Sequence, residues 1–212
     1  MAAPTVDFSQ TRIDRPKPLN DLPETTSPMP YRLRTATLAD GPAIGDLIAR
    51  SIRSLGRDDY SPAQIEAALQ GAFGLDTALV RDETYFLVFG AAPDPVACGG
   101  WSRRRTLFGG DAHAQRDESL LDPRTDAAKV RAFFVDPAHA RRGLGRMLLE
   151  RCEDEARSAG FTALELMATL PGLRLYERHG FVPLGSVDHR LPGGLSIRFV
   201  PMRKALAAAS RP

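Results

Sequence analysis

Residues 130–150, VRAFFVDPAHARRGLGRMLLE, constrain this chain more than any other stretch, because they change period within one short loop. VRAFFVDP (130–137) is rich in β-formers and stops at Pro137, which predicts a strand. From Gly143 the apolar residues follow a helical stripe, Leu144, Leu148, Cys152, Ala156 and Ala159, and Gly160 sits where a C′ glycine belongs. The loop between ends in Arg141, Arg142, Gly143, Leu144, Gly145 and Arg146. A helix start carries about half a positive charge and four unpaired N–H donors, so it is a natural anion site. Gly143 and Gly145 keep side chains away from those amides, and the three arginines would neutralise a multiply charged phosphate ligand. A basic turn capping a helix would look the same in isolation, so the neighbouring segments must decide.

Those neighbours alternate. YRLRTA (31–36) predicts a first strand, and Asp40 caps a helix carrying Ile44, Leu47, Ile48 and Ile52 on one face. Ser61-Pro62-Ala63-Gln64 has the form of a capping box with proline at N1, which starts a second helix. TYFLVFG (84–90) and PVACGGWS (95–102), separated by a Pro-Asp-Pro turn, predict an antiparallel hairpin. Residues 107–127 read as a long connecting loop, and loops of that length in a compact domain are often functional. After the 144–159 helix come the strand FTALELMA (161–168), the short helix GLRLYERH (172–179), and the strand-like FVPLGSV and LSIRFVPM. The order β-α-α-β-β-β-α-β-α-β-β predicts an α/β (α+β) layer fold, a mixed sheet flanked by helices.

Six prolines and few aliphatic residues in 1–30 mark an N-terminal tail that is disordered or loosely docked. The folded domain is expected over 31–204, with 205–212 a frayed C-terminal tail. A length of 212 residues suits one domain with a substantial core. The formal net charge of +2 gives no bulk argument for nucleic acid or a membrane surface. The two cysteines, Cys98 and Cys152, form no disulfide framework, and no Cys/His spacing suits a metal. No signal peptide or ~20-residue apolar span is present, so a cytoplasmic setting is expected.

Three phosphate-binding patterns can be compared with the 139–150 loop. A Walker-type loop fails, because Gly145 is followed by Arg146-Met147 rather than Lys-Ser/Thr. A dinucleotide fingerprint wants a third glycine where Leu148 stands and turns directly from strand to helix, without an intervening proline loop. The third pattern fits: strand, Val-Asp-Pro, basic loop, Gly-x-Gly, helix resembles the coenzyme A pyrophosphate loop of the GCN5-related N-acetyltransferase (GNAT) family. LYERHGF (175–181) is similar to the C-terminal signature of that family, about thirty residues on and in the right order. The chain departs from the family pattern at Ala140, where Gln or Arg is usual, and at Thr169, where many members have asparagine.

The resemblance implies the GNAT fold over 31–204 and a role for each matching position. Phe133, Phe134 and Val135 would offer backbone groups to a pantetheine arm while their side chains fill the core. Residues 141–146 would hold the pyrophosphate, and Thr169 would hydrogen-bond the pantetheine or a water. Tyr176 matches the general acid that protonates the departing thiolate. Glu165 would take a proton from the amine, or it is a solvent-facing strand residue. Asp58 and Asp59, in the connection between the first two helices, would attract a cationic amine, or they mark an exposed loop. Trp101 would line the acceptor pocket, or it is core.

The implied activity is an N-acetyltransferase that moves an acetyl group from acetyl-CoA (coenzyme A), with no metal, to a primary amine of a small molecule or peptide by direct attack in a ternary complex. A non-catalytic acyl-CoA-binding or sensor module is the alternative. No nucleic-acid or membrane partner is expected. Oligomeric state stays open, a homodimer being common among members of the family.

Overall fold

The computed structural model describes residues 31–113 and 116–206. The expected N-terminal tail and residues 207–212 therefore lie outside the described residues. Strand β1 (Arg32–Thr35) leads into helix α1 (Gly41–Leu55), then α2 (Pro62–Ala68), α3 (Thr77–Arg81), β2 (Tyr85–Phe89) and β3 (Pro95–Ser102). The second half runs β4 (Ala128–Val135), α4 (Leu144–Ser158), β5 (Ala163–Thr169), α5 (Leu173–Arg178), β6 (Val182–Pro183), β7 (Val187–Arg190) and β8 (Ser196–Ala205). All strands join one sheet in the order β1-β2-β3-β4-β5-β8-β6, with β7 also on β8. Every pairing is antiparallel except β4 with β5.

The mixed sheet flanked by helices is the α/β architecture expected. Side chains alternate across a strand, so β2 is buried on both faces: Phe86 and Val88 join one core cluster, Tyr85, Leu87 and Phe89 the other. On the first face Leu144, Leu148, Leu149, Cys152 and Ala156 of α4 cover the sheet. On the second, Ile44, Leu47, Ile48 and Ile52 of α1 do so with Ile65 of α2. The capping box of α2 is present: the Gln64 amide donates to Ser61 Oγ at 3.3 Å and the Ser61 amide to Gln64 Oε1 at 2.9 Å. Asp40 does cap α1 by position, but its carboxylate is taken by Arg34 (2.7 Å) and by the amide and hydroxyl of Thr37. The Arg34 guanidinium is the main reason that carboxyl is held far below the usual carboxylate range.

Three expectations need correction. Helix α3 has no counterpart in the sequence pattern; it is five residues long, too short for a periodic stripe, and is started by Asp76, whose carboxylate accepts from the Ala78 amide at 3.0 Å. FVPLGSV is two strands, β6 and β7, because Gly185 takes φ +128 between them. The C-terminal boundary lies later than 204: β8 runs through Ala205, and Leu206 is buried, its amide donating to Thr162 O at 2.8 Å. Among the described residues no helix is long and apolar enough to cross a membrane.

The parallel β4–β5 pairing is short, and its shortness opens the sheet. It covers only Ala128–Val130 against Leu164–Leu166. Beyond it β4 bulges: its register against β3 shifts between Cys98 and Gly100, and Ala132 takes φ +56. The Tyr85 hydroxyl holds the bulge by donating to Ala132 O at 2.9 Å. Phe133–Val135 therefore leave β5, and a gap opens between the ends of the two parallel strands.

Candidate functional site

Two cavities meet in that gap. The larger is an open cleft between Phe133–Val135 of β4 on one side and Thr169–Tyr176 on the other. The C-terminal end of α1 (Ser51–Gly56) and the loop Ala140–Arg146 close its ends. The smaller lies on the α1–α2 face of the sheet and is walled by Phe73, Phe108, Phe134, Met167 and Phe199. Phe133, Phe134, Thr169 and Tyr176 line both.

At the loop the backbone geometry explains the residues. Arg141 has φ +64 and Gly143 φ +85, so the chain turns twice through the left-handed region just before α4. Only glycine does this without strain, and the non-glycine Arg141 costs about 1 kcal/mol. The turns bring backbone N–H groups to the first turn of a fifteen-residue helix, an anion-binding concavity. A Cβ on Gly145 would lie 2.9 Å from Leu175 Cδ2, so that glycine lets α4 approach α5 closely. Arg141, Gly143, Leu144, Gly145 and Arg146 all line the cleft. Arg142 is exposed and lies outside the cleft lining, and Arg146 already pairs with Glu150 at 2.7 Å. Arg174 and Arg178, four residues apart on α5, add two cleft cations that sequence reasoning missed. The i,i+4 spacing beside LYERHGF was the available signal.

Val135 lines the cleft, yet its amide already donates to Ser51 Oγ at 3.2 Å, a buried serine also missed. Phe133 and Phe134 sit at the junction of the two cavities. Thr169 ends β5 and lines both cavities.

Tyr176 is buried on α5, its ring edge-on to Phe133 (centroids 6.3 Å) and Phe181 (5.8 Å). Burial pushes its phenol well above the usual range, so the hydroxyl keeps its proton. A second tyrosine, missed in the sequence, fixes the neighbouring turn. Tyr60 donates to Arg198 O (3.0 Å) and accepts from the Leu170 amide (2.8 Å), and burial pushes its phenol up to about 12.

Besides Arg142, four candidate residues fall outside the cavities. Glu165 lies on the paired half of β5, about 13 Å along the strand from Thr169. There Lys129 Nζ and an Arg203 guanidinium nitrogen each bind it at 2.6 Å, so it is a cross-strand ion pair and is not aimed at the gap. Trp101 belongs to the core under α4, on the opposite face, and its indole N–H donates to Glu155 Oε2 at 2.9 Å. Asp58 and Asp59 are exposed in the α1–α2 turn and line neither cavity; the following Tyr60 is the residue that turns inward. Among the described residues no three His, Cys, Asp or Glu side chains gather as a metal site would require.

Residues 51–181 match the family model described as "Acetyltransferase (GNAT) family". An IAA acetyltransferase from Azospirillum brasilense is 29% identical over 166 residues, 76% of this chain and 94% of that protein. A GCN5-related N-acetyltransferase structure from Rhodopseudomonas palustris is similar with TM-score 0.61 and 20% identity, over 85% of this chain and 99% of the other. The PaiA N-acetyltransferase of Thermoplasma acidophilum, in complex with coenzyme A, gives 0.57 and 14%, over 84% and 99%. YncA of Salmonella typhimurium, with its cofactor acetyl-CoA, gives 0.56 and 17%, over 86% and 98%. At such identities the structural likeness speaks for the fold.

Proposed function

The chain belongs to the GNAT acetyltransferase family, and from that premise we propose that it transfers the acetyl group of acetyl-CoA to a primary amine of a small molecule or peptide, by direct attack in a ternary complex. The observation that carries this reading is the meeting of the two cavities at one gap, with Tyr176 lining both. The open, cationic cleft suits a long anionic donor, and the aromatic cavity suits an acceptor. A ternary complex needs the two to approach from different sides.

In this reading Gly143–Arg146 and the arginines 141, 174 and 178 bind the pyrophosphate, and Phe133 and Phe134 lay their strand edge along the pantetheine. Thr169 hydrogen-bonds that arm or a bridging water. A β4 amide faces the thioester oxygen as negative charge develops there. The Tyr176 hydroxyl gives its proton to the departing sulfur and regains one from the acylated nitrogen. With Glu165 tied to Lys129 and Arg203, the nitrogen gives up its proton without a carboxylate from that position.

Tyr176→Phe tests the reading. Turnover should fall by ~10²–10⁴ while calorimetry shows acetyl-CoA affinity unchanged; full turnover in the variant removes Tyr176 from the mechanism. The alternative, an acyl-CoA-binding module without catalysis, draws on the same loss of Glu165. It predicts acetyl-CoA binding with no coenzyme A release against any amine.

A further inference from the structure

The acceptor cavity has a composition that narrows what can enter it. Its aromatic rings form a continuous array: Phe73 stands edge-on to Phe134 (6.0 Å between centroids) and to Phe199 (6.1 Å), and Phe108 lies 5.3 Å from Phe199. His113 and His189 extend the array, each 4.9 Å from Phe108. Such a surface rewards a flat or bulky apolar body with area burial and edge-to-face contacts.

The electrostatics beside the array oppose a cation. Arg131, on β4 in the cavity wall, is 4% exposed, and Arg116 packs beside it with only 14% of its side chain exposed. The carboxylate between them is that of Asp76, which is fully buried. Asp111 and Glu118 also approach Arg116, at 3.3 and 3.5 Å, but both are exposed enough for water to screen them. One buried guanidinium, of Arg131, and one partly buried guanidinium, of Arg116, thus face one buried carboxylate, and Nε of Arg131 has no hydrogen-bond partner among the described residues. Among those residues the lining of either cavity contains no Asp or Glu to receive an ammonium. Moving an unpaired ammonium from water into such a place is strongly unfavourable.

We propose, on the acetyl-transfer reading above, that the acceptor is an amine on an aromatic or bulky apolar body whose nitrogen enters uncharged, an arylamine or the α-amino group of an apolar aminoacyl unit, and not a polyamine, aminoglycoside or lysine side chain. The chemistry balances with the protein's own groups. A neutral R–NH₂ forms the new N–C bond as the C–S bond breaks; the nitrogen loses one proton and the sulfur gains one through the Tyr176 hydroxyl. The products are R–NH–COCH₃ and a thiol, with no net proton released. A charged ammonium would have to shed a further proton first. The difference is large: an α-amino group near 7.8 holds about 300-fold more neutral form at pH 7 than an alkyl amine near 10.4.

The test uses three acceptors with the full chain at pH 7, following coenzyme A release: phenylalanine amide, glycinamide and spermidine. Acetyl-CoA affinity is measured by calorimetry on the same preparation. We expect kcat/KM for phenylalanine amide to exceed that for glycinamide by about 10-fold or more, the ring's contribution. It should exceed that for spermidine by about 100-fold or more. Phe108→Ala should erase most of the ring preference without altering acetyl-CoA affinity. Spermidine turned over as well as phenylalanine amide, no ring preference, or no turnover of any acceptor by a protein that binds acetyl-CoA would each overturn the inference. Failure to bind acetyl-CoA would instead remove the donor reading on which it rests, and the inference with it.

Discussion

The carboxylate of Asp76 and the guanidinium of Arg131 form an ion pair from which solvent is excluded, the side chains being 0% and 2% exposed. One caps α3 and the other stands on β4, so the pair ties the start of the α3 helix to the wall of the acceptor cavity. Arg116 adds a second bond to Asp76 at 2.7 Å, and Arg131 donates to Gly109 O at 2.6 Å, which fastens Gly109 and Arg116 to the same spot. Removing one charge leaves the buried Arg131 and the partly buried Arg116 facing a neutral amide. Asp76→Asn should therefore cost about 3–5 kcal/mol in urea unfolding, and amide exchange at Leu107–Gly110 should accelerate. The exposed Asp188–Arg198 pair (2.9 Å) is the control, since Asp188→Asn should leave the urea midpoint nearly unchanged. Equal effects of the two substitutions would count against a structural role for the buried pair.

Gly99 and Gly100, adjacent on β3, fail differently when given a side chain. A Cβ on Gly100 would overlap the carbonyl oxygen of Thr84, which is backbone and cannot swing away. A Cβ on Gly99 would lie 2.5 Å from Cδ2 of Phe133, a ring that borders both cavities. Gly100→Ala should destabilise by about 1–3 kcal/mol or more as β2 and β3 are forced apart. Gly99→Ala should be milder in urea but should displace Phe133 and raise KM for acetyl-CoA or the acceptor. If Gly99→Ala leaves both KM values unaltered, the Phe133 ring does not set the shape of the gap.

The range of each interaction decides whether the amino-acid order discloses it or hides it. Helices α1 and α4, the capping box of α2 and the β2–β3 hairpin were legible because each is written in residues within a few positions of one another. The bulge in β4 was not legible, because a tyrosine on β2 holds it. Glu165 was placed on the right strand, but its partners come from the two neighbouring strands. Only the register of Lys129 and Arg203 beside it reveals an ion pair. Trp101 faces α4 rather than the cavity because of one step in the β3 alternation. Phe73, Phe108 and Phe199 come from three distant segments, and their convergence has no local signature.

His113 and His189 sit 5.4 Å apart against Phe108, and burial, the largest cause in each case, holds both below the usual imidazole range. For His113 the neighbouring His189, Arg116 and Arg131 add to the effect. The native state thus resists protonation that the unfolded chain accepts near 6.5. Stability is complete above that value and declines as pH falls below it, because the unfolded state then binds more protons. The urea midpoint should drop between about pH 7.5 and pH 5.5, a window in which carboxylates hardly titrate. A His113→Asn, His189→Gln double variant should flatten the drop. An undiminished slope in that variant would assign the acid sensitivity to other groups.

Tyr60 joins three parts of the chain through one oxygen. Its hydroxyl donates to Arg198 O on β8 and accepts from the amide of Leu170, the first residue after β5, while the residue itself begins the approach to α2. Phenylalanine would fill the same volume and leave a part-buried carbonyl and a part-buried amide without this partner, at a cost of about 1 kcal/mol. The consequence for function is positional. Leu170 opens the turn that carries Thr169 into Gly172, where a Cβ would come within 3.2 Å of both Thr169 Oγ1 and Tyr176 Cε2, so the turn has little slack. Loosening it should disturb Thr169 and Tyr176 together. Tyr60→Phe should lower Tm and reduce kcat by about 10-fold, as expected of a misplacement near 1 Å or less. Binding of acetyl-CoA by the arginine-lined end of the cleft should be nearly unchanged. A variant that loses stability but keeps full kcat well below its Tm would show that the turn is held without the tyrosine.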